Sequence, residues 1–359
     1  MACPENPPDS IRRTTDDAAT PYPGFRAGGS PATLANPRHS KGQSESVPFP
    51  EARDPSMSTP RAARPQPSPP GLARPLVCRF VPAAGGIARV GAAGGPDAIA
   101  DLGAAGVESL AALLGAAEPA AVVARLSPSA PTLPLDDVVL LPPVESQEVW
   151  AAGVTYLRSK TARMEESTHS ASAYDRVYDA DRPEIFFKSL ADKVVGTGEA
   201  VGIRADARWN VPEPELALVM NARGEMVGCA VGNDMSSRDI EGENLLYLPQ
   251  AKTYDRSCAL GPWVALGADE AAIRRWTISV EIARGGAPVF TGATGIDQIK
   301  RRFDELVSWL WRSQRFPHGV VLLTGTGIVP DESFTLHEGD RVTIRVDGIG
   351  TLVNDVVVV

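Results

Sequence analysis

The sequence has few cysteines and no long apolar run. The four cysteines, Cys3, Cys78, Cys229 and Cys258, are scattered and form no C-x-x-C pair, so neither a disulfide framework nor a cysteine zinc site is indicated. Cys229 and Cys258 lie in apolar surroundings and are expected to be reduced core thiols of a cytoplasmic protein. No apolar run reaches the roughly 18 residues that a membrane span needs. The N-terminus has no charged-then-apolar signal peptide, and we expect no membrane partner.

The chain also lacks an excess of positive charge. Its net charge of −9 provides no basic surface for nucleic acid, which we therefore do not expect as a partner. Residues 1–75 contain 16 of the 32 prolines and few large apolar side chains. This composition predicts a disordered Pro/Ser-rich extension, because the segment cannot bury enough surface to offset its ordering entropy. Met57 offers a second translation start, so residues 1–56 are interpreted as an upstream extension; their acidic residues make a transit peptide the weaker alternative.

The rest of the chain divides into two regions of different composition. Residues 76–145 are Ala-rich and predict a small N-terminal domain, whereas residues 146–359 are predicted to form the catalytic domain. Strands recur through the second region, and Ile296–Trp311 has the clearest amphipathic helical period. The pattern predicts an α+β fold.

One stretch stands out because it combines a strand pattern with carboxylates. From Glu213 the residues alternate, with Glu213 and Glu215 on one face and leucines on the other. Pro214 cannot donate to a β-ladder, which indicates either a sheet edge or a strand entrance. Asn221–Gly224 is typical of a tight turn, and Met226–Val231 of the returning strand.

The turn brings a third carboxylate to the same place. If the hairpin closes around Arg223, Glu213 lies opposite about Asn233, and Asp234 is next to that position. Glu213, Glu215 and Asp234 would then converge on one patch and repel one another unless a cation lay between them. No His or Cys lies at ligand spacing, so an all-oxygen site for Mg²⁺, Mn²⁺ or Ca²⁺ is predicted in place of a zinc site.

Four motifs follow one another in order. They are Pro-Glu-Pro-Glu-Leu-Ala-Leu-Val, Gly-Asn-Asp-Met-Ser-Ser-Arg-Asp, Gln250-Ala251-Lys252 and Gly261-Pro262. As a set they resemble the fumarylacetoacetate hydrolase superfamily, over a region from about Val149 to the C-terminus. The resemblance implies a mixed, rolled β-sheet of the type of that family's C-terminal domain, packed against a small N-terminal domain. It also implies a homo-oligomer, either a dimer or a tetramer.

The resemblance assigns roles to individual residues. It implies that Glu213, Glu215 and Asp234 bind a divalent metal, with Mg²⁺ expected and Mn²⁺ or Ca²⁺ as alternatives. Lys252 matches the family's active-site lysine. Lys188 matches its Phe-x-Lys motif and is expected to bind substrate, the alternative being a countercharge to the metal carboxylates. Thr326 is expected to hold a substrate carboxylate.

The sequence departs from the family pattern at one motif. Hydrolases and decarboxylases of the family carry a His and a Glu three residues apart, and here Ser159 and Ala162 stand at those positions. The dyad that activates water is therefore missing. Tyr-Leu-Arg-Ser and the later Glu-Gly-Glu-Asn-x-Leu-Tyr-Leu-Pro-Gln-Ala-Lys resemble instead the branch of 2-keto-3-deoxy-pentonate dehydratases.

These features predict an enzyme with a small 2-keto acid as substrate. The expected reaction is the Mg²⁺-dependent dehydration of 2-keto-3-deoxy-arabinonate or -xylonate to 2,5-dioxopentanoate, in pentose catabolism. Glu165 or Glu166, together with Lys252, are expected to transfer the protons, while Arg158 and Ser159 bind substrate. One alternative is a C–C hydrolase or 2-oxoacid decarboxylase on the same metal scaffold, which the missing dyad disfavours. Another is a non-catalytic, metal-stabilised binding protein, which the full set of polar groups disfavours.

Overall fold

Strands dominate the structure. The computed structural model describes residues 74–157 and 176–359, which all belong to the unit Arg61–Val359. The strands are β1 Leu76–Pro82, β2 Arg89–Gly95, β3 Ala98–Asp101, β4 Thr132–Pro134, β5 Val138–Leu141, β6 Glu148–Gly153, β7 Glu184–Ser189, β8 Val201–Ile203, β9 Asn210–Val211, β10 Pro214–Met220, β11 Met226–Asp234, β12 Ser236–Ser237, β13 Cys258–Leu266, β14 Thr277–Arg284, β15 Ala287–Gly295, β16 Val320–Leu323, β17 Arg341–Val346 and β18 Gly350–Val358.

The helices are short. Among the α-helices of the described residues are α1 Leu110–Leu114, α2 Pro119–Leu126, α3 Arg238–Glu243, α4 Leu248–Lys252, α5 Glu270–Ile273 and α6 Phe303–Trp311. Single 3₁₀ turns occur at Ser127–Ser129, Leu135–Asp137, Ala191–Lys193, Leu245–Tyr247 and Ile296–Gln298. The predicted α+β class is confirmed.

The strands form mixed sheets. The largest has 11 strands in the order β4-β3-β2-β1-β13-β11-β10-β16-β6-β7, with β5 pairing to β1. Most of its pairs are antiparallel, but β16 and β6 run parallel. A five-stranded sheet has the order β15-β14-β17-β18-β8, in which β18 and β8 are parallel. Strands β9 and β12 form a separate two-stranded pair.

The predicted carboxylate hairpin is β10–β11, and it lies inside the largest sheet. Strand β10 pairs with β11 on one side and β16 on the other, so Pro214 marks a strand entrance and not a sheet edge. The register pairs Pro214 with Asn233, and an irregularity near Met220 shifts the predicted pairing by one residue. As a result, Glu213 lies opposite Asp234, whose N–H donates to the Glu213 carbonyl at 3.0 Å. The extra residue at the turn end therefore brings the two carboxylates onto one face.

Both faces of β10 are buried, and the two faces contribute to different hydrophobic clusters. Leu216 and Leu218 pack in a cluster that extends to the five-stranded sheet. Ala217 and Val219 pack in a second cluster with the apolar residues of α1 and α2. Since apolar layers cover both faces, residues 216–219 of β10 are shielded from water.

The predicted N-terminal domain contains strands β1–β5 and helices α1 and α2. Ser109 caps α1, because its hydroxyl accepts the N–H of Ala112 at 3.0 Å. Strand β1 pairs with β13, so the sheet of this region is continuous with the sheet that contains the carboxylate hairpin. The domain boundary near residue 145 stays a prediction.

The predicted helix Ile296–Trp311 is wrong in its first half. Only α6, from Phe303, is α-helical, and Ile296–Gln298 is a 3₁₀ turn. The guanidinium of Arg274 donates to the carbonyls of Ile299 and Arg301, both at 2.8 Å. These tertiary contacts satisfy carbonyls that a continuous helix would have used, so the helix begins later.

Two predictions from composition concern the state of the cysteines and the presence of a membrane-spanning helix. Cys78, Cys229 and Cys258 are free and buried, in agreement with the expectation of reduced core thiols for the latter two. Across the two described ranges, no helix has the length and apolar character required to cross a bilayer.

Candidate metal centre

Three buried carboxylates meet where β10 begins and β11 ends. Glu213, Glu215 and Asp234 are each at most 3% exposed, and each offers an oxygen that lies within 4.8 Å of the other two. Glu213 and Glu215 share a face because they are two residues apart on an extended chain, and Asp234 joins them through the hairpin register. All the donor atoms are oxygens, which are the ligands that Mg²⁺ and other hard cations prefer.

Each of these carboxylates has one oxygen held by a neighbouring donor. Arg238 donates to Oε1 of Glu213 at 2.8 Å, and the N–H of Gly325 donates to Oε2 of Glu215 at 2.6 Å. Lys188 forms an ion pair with Oδ1 of Asp234. Such supporting contacts fix the orientation of a carboxylate relative to a metal site.

Lys188 is fully buried. Besides Asp234, its ammonium donates to the carbonyl oxygens of Met235, at 2.9 Å, and Lys252, at 2.5 Å. Two carbonyl acceptors and the charged carboxylate of Asp234 thus surround the ammonium. Its predicted role in binding substrate stays a prediction, and the contacts favour the alternative, a countercharge to the metal carboxylates.

Lys252 lies among the carboxylates at the end of α4. Its ammonium is 2.5 Å from Oε2 of Glu213, 3.3 Å from Oδ2 of Asp234 and 2.6 Å from the hydroxyl of Ser236. The side chain is 2% exposed. Direct ion pairs compensate for the burial of this ammonium, because a buried charge without a partner is strongly unfavourable.

The charged form of Glu215 is disfavoured by its surroundings. Burial raises its pKa well above the ordinary value of 4.5, and the charges of Asp234 and Glu213 raise the pKa further. The Gly325 N–H and the charge of Lys252 act in the opposite direction but do not offset these effects. A divalent cation between the three carboxylates would supply the missing positive charge, so the residues fit a metal ion.

A tight backbone approach places Gly325 beside Glu215. Gly325 has a φ of +91°, and a Cβ on it would lie 2.1 Å from the hydroxyl oxygen of Thr155. Only glycine therefore fits this position. Next to it, the hydroxyl of Thr326 accepts the N–H of Ile328 at 3.2 Å. Thr326 lines the pocket described next, and its role as a holder of a substrate carboxylate stays a prediction.

A small pocket opens onto the three carboxylates. Its lining in the described part of the chain consists of Ala152, Gly153, Val154, Glu184, Phe186, Glu213, Glu215, Asp234, Glu241, Lys252, Gly325 and Thr326. The pocket thus brings together the predicted metal ligands, Lys252 and Thr326 from four separate stretches of sequence.

Two further carboxylates of the pocket were missed by sequence reasoning. Glu184 lies on β7 opposite Gly153, and a Cβ at that glycine would lie 2.1 Å from a carboxylate oxygen of Glu184. Glu241, on α3, is 4% exposed and 4.0 Å from the Lys252 ammonium. The signal for Glu184 was its spacing, because Glu184, Phe186 and Lys188 alternate along one strand and share a face.

The sequence profile of the fumarylacetoacetate hydrolase C-terminal family matches residues 148–357. The chain belongs to this family. It is 51% identical over 217 residues to a probable 2-keto-3-deoxyxylonate dehydratase of Haloferax volcanii, which covers 60% of this chain and 74% of that protein. It is 37% identical over 225 residues to the 2-dehydro-3-deoxy-D-arabinonate dehydratase of Saccharolobus solfataricus, covering 62% of this chain and 76% of that protein.

A solved structure of the same family has a similar fold. This 2-keto-3-deoxy-D-arabinonate dehydratase, in complex with magnesium and 2,5-dioxopentanoate, superposes with a TM-score of 0.67 at 30% identity. The match covers 79% of this chain and 99% of that one. The predicted family and its fold are confirmed.

Four predicted site residues of this family member lie outside the described residues. They are Arg158, Ser159, Glu165 and Glu166, all within residues 158–175. Their predicted roles in substrate binding and proton transfer stay predictions.

Proposed function

We propose that this protein is a Mg²⁺-dependent dehydratase that converts a 2-keto-3-deoxy-pentonate, arabinonate or xylonate, to 2,5-dioxopentanoate. The observation that carries the proposal is the buried Glu213–Glu215–Asp234 cluster beside Lys252 in one pocket. The 51% identity to a probable 2-keto-3-deoxyxylonate dehydratase also supports the proposal. Homo-oligomeric assembly, which rests on the family resemblance, and a cytoplasmic location, which rests on the scattered, reduced cysteines, are further proposals.

The elimination of water needs two proton transfers: a base takes a proton from C3, and an acid protonates the C4 hydroxyl as it leaves. The resulting C3–C4 alkene then isomerises to the C5 aldehyde, as protons are lost from C5 and its hydroxyl and gained at C3 and C4. Bound Mg²⁺ would act as a Lewis acid on the oxygens of the 2-keto acid and so increase the acidity of the C3 proton. The three carboxylates would hold it, and their anchored oxygens would keep them oriented.

The pocket supplies groups for the proton transfers. Glu184 is the carboxylate on β7 that faces the pocket without belonging to the metal cluster, and we assign it as a candidate base beside the predicted Glu165 and Glu166. Lys252 holds a proton within the same pocket and can donate it to a leaving hydroxyl. Phe186, between Glu184 and Lys188 on the strand, also lines this side of the pocket.

Product identity tests the proposal. Purified, Mg²⁺-loaded protein should convert a 2-keto-3-deoxy-pentonate to an aldehyde that a coupled semialdehyde dehydrogenase oxidises, measured as NADH formation. Glu184→Gln should lower turnover by roughly 10²- to 10⁴-fold if Glu184 carries a proton, with Mn²⁺ affinity unchanged. Faster cleavage of acylpyruvates, or faster loss of CO₂ from oxaloacetate, would show that the protein is a hydrolase or decarboxylase instead.

A further inference from the structure

Lys252 contacts one oxygen each of two predicted metal ligands, Glu213 and Asp234. Arg238 occupies Oε1 of Glu213, and Lys188 occupies Oδ1 of Asp234. The remaining oxygens of these two carboxylates, Oε2 and Oδ2, both face the Lys252 ammonium, at 2.5 and 3.3 Å. One cation therefore bridges the pair of oxygens that the anchoring contacts leave available.

A divalent ion and this ammonium compete for the same positions. A coordinating oxygen directs a lone pair at the metal from about 2.0–2.6 Å, and the short hydrogen bond from Lys252 takes up one of the two lone pairs on Oε2 of Glu213. Two positive ions a few ångströms apart in a water-excluded pocket also repel strongly. Filling of the metal site therefore favours the departure of Lys252 from Glu213 and Asp234.

Glu241 lies where the displaced ammonium can go. Its Oε2 is 4.0 Å from the Lys252 ammonium, and the side chain is buried and lines the pocket. Glu241 and Arg238 are three residues apart on α3, so the same helix turn presents the anchor of Glu213 and this further carboxylate. The hydroxyl of Ser236, at 2.6 Å from the ammonium, adds an acceptor that lies outside the predicted ligand set.

We propose that Lys252 moves from the Glu213–Asp234 pair to Glu241 when a divalent cation binds. Lys252 thus neutralises the ligands before metal binding, and metal binding then directs its ammonium into the pocket. In this way the placement of the lysine is coupled to the loading of the site. The inference rests on the metal site of the proposed function, and it does not depend on which substrate the protein dehydrates.

Metal affinity measured without substrate tests the competition. Chelator-treated protein is titrated with Mn²⁺ in a calorimeter, and Lys252→Met should bind Mn²⁺ roughly 10-fold or more tighter, the scale of one charge-assisted hydrogen bond. The matched control is Arg238→Met, which removes a cation from the anchored oxygen of the same glutamate. It should bind Mn²⁺ no tighter than wild type, because Glu213 loses its support.

The Arg238→Met control separates direct competition for the carboxylate oxygens from the general electrostatic effect of removing one positive charge. If both variants gain affinity by the same factor, the charge alone matters and the proposal is wrong. Thermal melts check that both variants fold. If either methionine variant does not fold, the single variants Lys252→Gln and Arg238→Gln provide the same comparison. A failed dehydratase assay would leave these affinities interpretable, so the two proposals can fail separately.

Glu241 provides an independent test. Glu241→Gln should weaken Mn²⁺ binding in the wild type, because the displaced lysine loses its new partner, and should have little effect in the Lys252→Met background. Equal weakening in both backgrounds would contradict the proposal. A crystal structure with bound Mn²⁺ should show the Lys252 ammonium within hydrogen-bonding distance of Glu241, and persistence of its contact with Oε2 of Glu213 would overturn it.

Discussion

Two antiparallel hairpins of similar length, β10–β11 and β14–β15, differ in their surroundings. Every residue of β10 is buried, since β11 and β16 flank it and apolar clusters cover both faces. Strand β15 forms the edge of the five-stranded sheet, and many of its residues are exposed. Glu281 on β14 is accordingly exposed, whereas Glu213 is buried.

The difference shows what turns a strand carboxylate into a candidate metal ligand. An exposed glutamate such as Glu281 is solvated and needs no partner. Glu215 has lost its water, so neighbouring donors and cations must stabilise its charge. Buried carboxylates at the centre of the sheet are therefore stabilised by a cation, and their hydrogen bonds and ion pairs set the orientation of each carboxylate.

The largest difference between the hairpins is expected in metal binding. Glu215→Gln should reduce Mn²⁺ affinity by roughly 10²-fold or more, because even groups that only support a metal ligand contribute 10- to 100-fold, and turnover should be abolished. Glu281→Gln is the matched control on the other hairpin and should change neither. Calorimetric titration and the aldehyde assay measure both. Wild-type activity of Glu215→Gln in excess chelator would refute the metal centre.

A smaller difference is expected in stability. Leu218→Ala, at a fully buried position of β10, should reduce the free energy of unfolding by about 2–5 kcal/mol. Val289→Ala on β15, where the side chain is 43% exposed, should change it by about 0.5 kcal/mol or less. Urea unfolding followed by circular dichroism measures both variants. Similar losses would mean that β15 is covered in solution.

The smallest expected effect is on the pH dependence of stability, where the two regions should have opposite signs. Burial and its acidic neighbours raise the pKa of Glu215, so in chelator its contribution to stability is present below about pH 4.5 and is lost as the pH rises. Burial alone would raise the pKa of Asp340 in the five-stranded sheet region. Hydrogen bonds from Arg284 and the His337 N–H instead hold this pKa below 3.8. Its contribution is therefore present above about pH 3.8 and is lost as the pH falls.

Differences between wild type and single variants isolate these contributions. The stability of wild type relative to Glu215→Gln should decrease as the pH rises above about 4.5 in chelator, and Mg²⁺ should reduce this decrease. The stability of wild type relative to Asp340→Asn should decrease as the pH falls below about 3.8. Chemical unfolding at a series of pH values measures both differences. Slopes of the same sign would contradict the assignment of Glu215 as the strained carboxylate.

Much of the local structure could be predicted from the sequence. The two strands of the Glu213–Asp234 hairpin and the turn between them were predicted, within one residue of the observed register. These features depend on neighbours in sequence, since side-chain alternation and turn residues act over a few positions. The start of α6 could not be predicted in this way, because Arg274 binds carbonyls 25 and 27 residues away.

The sequence by itself determined which carboxylates come together, because Glu213, Glu215 and Asp234 belong to one hairpin whose turn sets the pairing. Only the tertiary structure decided the groups around them. Gly325 approaches Glu215 from 110 residues away, and Lys252 reaches Glu213 from 39 residues away. Such contacts depend on how strands pair and how backbone segments pack. A lysine or glycine has the same local signature whether it contacts a carboxylate or solvent, so its partner is fixed only when the sheet is assembled.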